Sequence, residues 1–91
     1  MGKLDVTQSR VESILAARRC PAEVVRASRG YTIVYEGRAV SRIRQRGECW
    51  EVVWWSHRDK WESIGDFGGV VFDTIDEATK YVLDDPMGIF W

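Results

Sequence analysis

Two cysteines, two prolines and a single histidine are all that this 91-residue sequence holds of the residues that most often announce cross-linking or catalysis. Cys20 and Cys49 are too few for a disulfide framework and lack zinc spacing, so they read as free thiols of a reducing compartment. His57 cannot pair with Cys49 as a nucleophile and base if both lie on one strand, because eight extended residues span roughly 26 Å. Cys20 could meet His57 in the fold, but no motif argues for it. No apolar run is long enough to cross a bilayer. The opening Met-Gly-Lys-Leu-Asp-Val has no signal-peptide core, and Val6 stands where myristoylation after Gly2 wants Ser or Thr. These absences predict a cytoplasmic protein starting at its natural Met1, with no membrane partner.

The acidic group Asp73, Asp76, Glu77, Asp84 and Asp85 does not match a calcium loop. The stretch Gly65-Asp-Phe-Gly68-Gly69 lacks the lysine and the following helix of a phosphate loop. The sequence thus offers no catalytic residues, no metal ligands and no cofactor motif, and a non-enzymatic role is expected.

What is present is aromatic: five Trp, three Tyr and three Phe, within a composition 45% hydrophobic and 30% charged. That is an ordinary globular composition, and residues 1–91 suffice for a single domain. Net charge is −1, yet residues 1–46 carry ten basic side chains against four acidic ones, and residues 47–91 three against ten. The simplest expectation is that the halves interleave in a sheet and pair their charges. The sharper one is a polarised surface that steers a partner.

The organising stretch is Glu48–His57, Glu-Cys-Trp-Glu-Val-Val-Trp-Trp-Ser-His, with turn residues on both sides and three of the five tryptophans. It reads as the central strand of an antiparallel sheet. Before it, Ser9 and Glu12 form a capping box for a helix over 9–19, with Leu4 extending its apolar stripe. Pro21–Ser28 reads as a short second helix stopped by Gly30. Tyr31–Glu36, Arg38–Gln45 and Lys60–Ile64 read as strands, and Val70–Phe72 as the end of a bulged fourth. Thr74 and Glu77 cap a last helix that Pro86 and Gly88 end, and the apolar tail Met87–Trp91 is expected to pack back. The expected fold is therefore α+β: two N-terminal helices, an antiparallel sheet of about four strands with helices on one face, and a C-terminal helix.

Two-residue turns at Glu36-Gly37, Arg46-Gly47 and Arg58-Asp59 would set the registers. One face then gathers Thr32, Val34, Ala39, Ser41, Ile43, Trp50, Val52, Trp54, Ser56, Trp61 and Ser63, without a charge, and is assigned to the core. The other gathers Tyr31, Ile33, Tyr35, Arg38, Val40, Arg42, Arg44, Cys49, Glu51, Val53, Trp55, Lys60, Glu62 and Ile64, with Arg42 opposite Glu51. Tyr31, Tyr35, Arg38, Arg42, Arg44 and Trp55 are the candidate binding residues on this open face, because aromatics among arginines mark interfaces. The partner expected is a protein or a second copy of the chain, whose split charge would suit a two-fold contact. The rival is single-stranded nucleic acid stacked on the Tyr/Trp/Arg face, which the stripe Arg38, Arg42, Arg44, Arg46 favours and a pI near 5.8 disfavours.

From about Pro21 to Trp91 the chain also resembles a small bacterial family known as domain of unknown function 3024. The resemblance lies in Cys20-Pro-Ala-Glu23 with Arg29-Gly-Tyr31, in Trp50-Glu-Val-Val-Trp54 with Arg58-Asp-Lys-Trp61, and in the ending Asp84-Asp-Pro-Met-Gly-Ile-Phe-Trp91. It implies a bacterial, cytoplasmic, stand-alone domain and carries no activity, cofactor or site.

Overall fold

In the computed structural model the chain runs α1 (Val6–Ala17), β1 (Glu23–Ala27), β2 (Gly30–Tyr35), β3 (Arg38–Arg46), β4 (Cys49–Trp55), β5 (Trp61–Ser63), β6 (Val70–Phe72) and α2 (Ile75–Asp84). The structure describes residues 5–56, 58–64 and 69–91. Leu4, His57, Gly65 and Gly68 lie outside the described residues.

The architecture is α+β, with one antiparallel sheet in the order β1-β2-β3-β4-β5 and β6 also paired to β4. Because β3 occupies one edge of β4 from Cys49 to Trp54, β5 and β6 must share the other. Ser63 stands opposite Val53 and Val70 opposite the next residue, Val52, so residues 64–69 are inserted into what is one interrupted edge strand. The expectation of a bulged fourth strand ending at Val70–Phe72 corresponds to this arrangement.

The sheet is larger than about four strands because Pro21–Ser28 is not a helix. Glu23–Ala27 is strand β1, hairpinned onto β2 with Ala27 opposite Gly30. The β-branched pair Val24-Val25 outweighs the helical signal of Pro21. Ser28-Arg29 makes the turn, with Arg29 in the left-handed region at φ 61°. Gly30 is no helix stop: it lies in β2 opposite Arg44, where a Cβ would collide with the Ile43 carbonyl oxygen and Arg44 Cα. Helix α1 also starts earlier than expected, because Asp5 rather than Ser9 is its N-cap and accepts from the Gln8 N–H at 2.9 Å. At α2 the Thr74–Glu77 cap forms as read, with Glu77 N–H donating to Thr74 Oγ1 at 3.2 Å.

Three registers differ from the expected ones. At the β3–β4 hairpin Gly47-Glu48 replaces Arg46-Gly47 as the turn, so Arg44, not Arg42, faces Glu51. The slip is of two residues, so faces are kept and Ile43, Trp50, Val52 and Trp54 stay on one side. Between β2 and β3 the register shifts at Ile33/Val34, with Val40 as the extra residue. The bulge puts Tyr31 and Ile33 opposite Ile43 and Ser41 on the covered side, and turns Thr32 outward opposite Arg42. After β4, Ser56 N–H donates to the Lys60 carbonyl at 2.9 Å, pairing Trp55 with Trp61 and sending Trp61 and Ser63 to the open side.

Both helices pack on the Ile43–Val52 side. Ile33, Val40, Ile43, Val52 and Ile64 close with Ala78, Val82 and Phe90 into one core, and Val11, Leu15, Val24 and Tyr31 into a second. Trp50 and Ile75 touch both. The basic first half and acidic second half interleave: Arg10 grips Asp76 through Nε at 2.9 Å and Nη2 at 2.6 Å, and Arg18 reaches Asp84 at 2.8 Å. The tail folds back as expected. Asp85, left-handed at φ 41°, caps α2, and its carboxylate accepts from the N–H groups of Ile89, Phe90 and Trp91 at 2.8, 3.2 and 3.3 Å. Phe90 is thereby fixed in the core, and Trp91 Nε1 donates to the Val82 carbonyl at 2.8 Å.

Candidate functional site

The sheet side opposite the helices carries side chains that alternate away from the core: Val25, Thr32, Arg42, Arg44, Glu51, Val53, Trp55, Trp61, Ser63 and Val71. Thr32, Glu51 and Val53 are nevertheless buried. The cover is built from side chains: Arg42 lies over Trp61, 4.7 Å from its ring centroid, and its Nε donates to Thr32 Oγ1 at 3.1 Å. Arg44 Nε donates to Glu51 Oε1 at 2.9 Å, Arg46 comes within 3.7 Å of Glu51, and Ser63 Oγ donates to Oε2 at 2.7 Å. Long stems of arginine thus roof the middle of the sheet while their charged heads stay in water.

Glu51 is the electrostatic pivot. Its side chain is only 2% exposed. Burial pushes its pKa up, but the hydrogen bonds from Ser63 and Arg44 and the nearby charges of Arg44 and Arg46 outweigh that and hold it below its ordinary 4.5. It is therefore an anion at neutral pH, and it fixes two arginine side chains in place. Gly69 passes so close that a Cβ there would meet Glu51 Oε2, which ties the chain entering β6 to the same carboxylate.

Two depressions flank this pivot. One, of about 470 Å³, is lined by Ser28, Arg29, Arg42, Arg44, Gln45, Arg46, Glu51 and Ser63. Four guanidinium groups against one carboxylate leave it with an excess of three positive charges. The other, of about 400 Å³, is lined by Thr32, Arg38, Ala39, Arg42, Trp55 and Trp61. Arg42 belongs to both, so the two form one continuous surface. Trp55 and Trp61 meet edge to face at 5.3 Å and 77°, and Trp55 remains 45% exposed.

Of the residues singled out from the sequence, the structure brings together Arg38, Arg42, Arg44 and Trp55. Tyr31 and Tyr35 do not belong with them. The β3 bulge turns Tyr31 inward, where its hydroxyl donates to Asp5 at 3.0 Å; burial and that bond raise its pKa. Tyr35 packs on the covered side, edge to face against Trp91 at 5.8 Å. Sequence reasoning missed Arg29, Trp61, Glu51 and Ser63 as site residues. In the sequence Arg29 falls between the expected helix Pro21–Ser28 and its Gly30 stop, Glu51 is expected opposite Arg42 where the structure has Arg44, and the expected Arg58-Asp59 turn puts Trp61 and Ser63 on the core side where the structure pairs Trp55 with Trp61.

A third depression, of about 380 Å³ between α1 and β1, includes Leu15, Cys20, Ala22 and Val24 and carries no polar cluster beyond Glu12 and Glu23. Cys20 and Cys49 are free, and no group of three or more His, Cys, Asp or Glu side chains comes together for a metal ion among the described residues. No described helix is long and apolar enough to cross a membrane. No family model, no curated protein and no solved structure matches this chain.

Proposed function

We propose that this chain is a non-enzymatic binding module whose open sheet face receives an anionic partner. The carrying observation is the partnered arginine set: Arg42 bonded to Thr32 and laid over Trp61, and Arg44 and Arg46 drawn to buried Glu51. Arginines fixed before a partner arrives lose less side-chain freedom on binding, so more of their attraction appears as affinity. Glu51 suits this role and not proton transfer, because its proton is held off by two arginines and a serine. A second copy of the chain stacked face to face is disfavoured by the same feature, since it would press two arginine-rich surfaces together. Self-association through this face is the competing reading, and sedimentation at two protein concentrations separates it from a monomer that binds anions.

The direct test is retention on an anionic polymer column. The wild type should be held at low salt, and Arg42→Glu should elute at markedly lower salt with an unchanged circular dichroism spectrum. Passage of the wild type straight through at low salt would sink the proposal. We place the protein in the cytoplasm, on the strength of its two free thiols. A relationship to the bacterial family sharing its ending is part of the same proposal. Its support is the sequence of the ending itself, Asp85-Pro-Met-Gly-Ile-Phe-Trp91.

A further inference from the structure

We infer that the anionic partner is single-stranded nucleic acid, with a base stacked on Trp55 and the neighbouring phosphates lying in the arginine groove. The inference rests on the proposal that the open face binds an anion, and it adds the chemistry of the partner. The surface offers two kinds of contact in continuity. On one side of Arg42 lies a basic groove, whose hydrogen-bond donors Arg29, Arg44 and Arg46 suit phosphate oxygens. On the other lies a hollow where the Trp55 and Trp61 rings and the Ala39 methyl stand beside Thr32, Arg38 and Arg42. A ligand that matches both must alternate negative charge with flat apolar rings, which is the composition of an unpaired nucleic-acid strand. An acidic peptide or a polyphosphate would use the arginines and leave the indole rings without a partner. A duplex would do the same, because its bases are already stacked on one another.

The tryptophan is prepared for such a contact. Trp55 is 45% exposed, yet its ring meets that of Trp61 edge to face at 5.3 Å, and Trp61 in turn lies beneath Arg42 at 4.7 Å. The sheet surface is shallow and open, as an extended strand requires. A chain pI near 5.8 does not oppose this, because acids on the helical side, Asp76 and Asp84, are engaged by Arg10 and Arg18 there. What matters to the ligand is the local excess of three positive charges. Stacking on indole is tolerant of base identity, so binding should be largely independent of sequence.

The experiment measures fluorescence anisotropy of labelled mixed-sequence single strands of about 12 nucleotides, within the site sizes typical of such surfaces. RNA and DNA single strands, a hairpin duplex and inorganic polyphosphate are compared at about 50 and 200 mM salt. Wild type, Trp55→Ala, Trp55→Phe and Arg42→Gln are tested, each checked for folding by circular dichroism. Single strands should bind, and three phosphate contacts should cost about 20-fold in affinity between the two salt conditions. Trp55→Ala should weaken binding roughly tenfold or more with the salt slope unchanged, and Trp55→Phe should restore most of the loss. Arg42→Gln should reduce the salt slope by about 0.7. If polyphosphate or duplex binds as well as single strands and Trp55→Ala is silent, the nucleic-acid inference is overturned while the anion-binding face stands. If neither single strands nor polyphosphate bind, the face itself is wrongly assigned and both fall.

Discussion

Replacing Glu51 should separate stability from binding. The carboxylate is 2% exposed and accepts from Arg44 at 2.9 Å and from Ser63 at 2.7 Å. Glu51→Gln keeps the shape: the amide oxygen can still accept from Arg44, and the amide nitrogen can donate to the Ser63 hydroxyl, which accepts as readily as it donates. What is lost is the charge, and charge-assisted bonds exceed neutral ones by about 1–2 kcal/mol in total here. For a domain of this size that corresponds to a fall in Tm of roughly 5–15 °C. Glu51→Ala leaves Ser63 without its acceptor and opens a hole, and should cost about 3 kcal/mol. The arginines themselves are about half exposed and can rehydrate, so neither change should reach the top of the range for a broken buried pair. Binding should move the other way. Without its one carboxylate the groove gains a full positive charge, so Glu51→Gln should bind single strands more tightly and with steeper salt dependence, while melting earlier. Differential scanning calorimetry together with anisotropy provides the check. A Glu51→Gln protein that melts with the wild type, or whose affinity falls in step with its stability, would refute the reasoning.

Acid should destabilise the fold in a defined window. Glu51 is held below 4.5, and Asp5 and Asp76 below 3.8, the former chiefly by the Gln8 N–H and the latter by Arg10. Depressed carboxylate values mean that the unfolded chain takes up protons first, so their stabilisation is complete above the ordinary values and is lost as pH falls through the folded ones. Tm should therefore be flat near neutrality and drop below about pH 4.5, with a shallower drop in Glu51→Gln, as thermal melts over a pH series will show. Asp85→Ala should remove the acceptor of three tail N–H groups and cost about 2 kcal/mol, read by chemical denaturation; Phe90→Ala should cost about 3–5 kcal/mol. Gly30→Ala should perturb the β2–β3 pairing and lower stability more than Gly37→Ala, whose added methyl meets nothing within 4 Å although its φ of 77° still carries strain; a side-by-side melt decides.

The α+β class, the strands flanking Glu48–His57, the α2 cap and the inward set Ile43, Trp50, Val52 and Trp54 could all be read from alternation and capping chemistry. Those signals are local, and parity survives a slip of two residues between β3 and β4. What could not be read were features decided by single residues. The extra Val40 in β3 exchanged the faces of Tyr31 and Thr32, and one added step after Ser56 exchanged the faces of Trp61 and Glu62. Sequence alternation has no phase across a bulge, so Tyr31 and Tyr35 were assigned to the wrong side with good local reason. Val24-Val25 after a proline was ambiguous between helix and strand in the same way, and only the partner β2 resolved it. Arg42, Arg44 and Trp55 were found because β3 and β4 kept their phase.

The division of the last lane into β5 and β6 bears on how copies of this chain could meet. A sheet that polymerises needs two continuous edges, one to offer and one to accept. Here one edge is cut into two three-residue pieces by residues 64–69. The other, β1, is five residues long and sets the exposed charges Glu23 and Arg26 along it. The Val24 carbonyl of β1 already accepts from Gln8 Nε2 of α1 at 3.1 Å, and a second copy pairing antiparallel on β1 would use up the only uninterrupted edge strand among the described residues. Any pairing of copies through their edges would therefore stop at two, and the interrupted strand offers an incoming strand only short pieces to pair with.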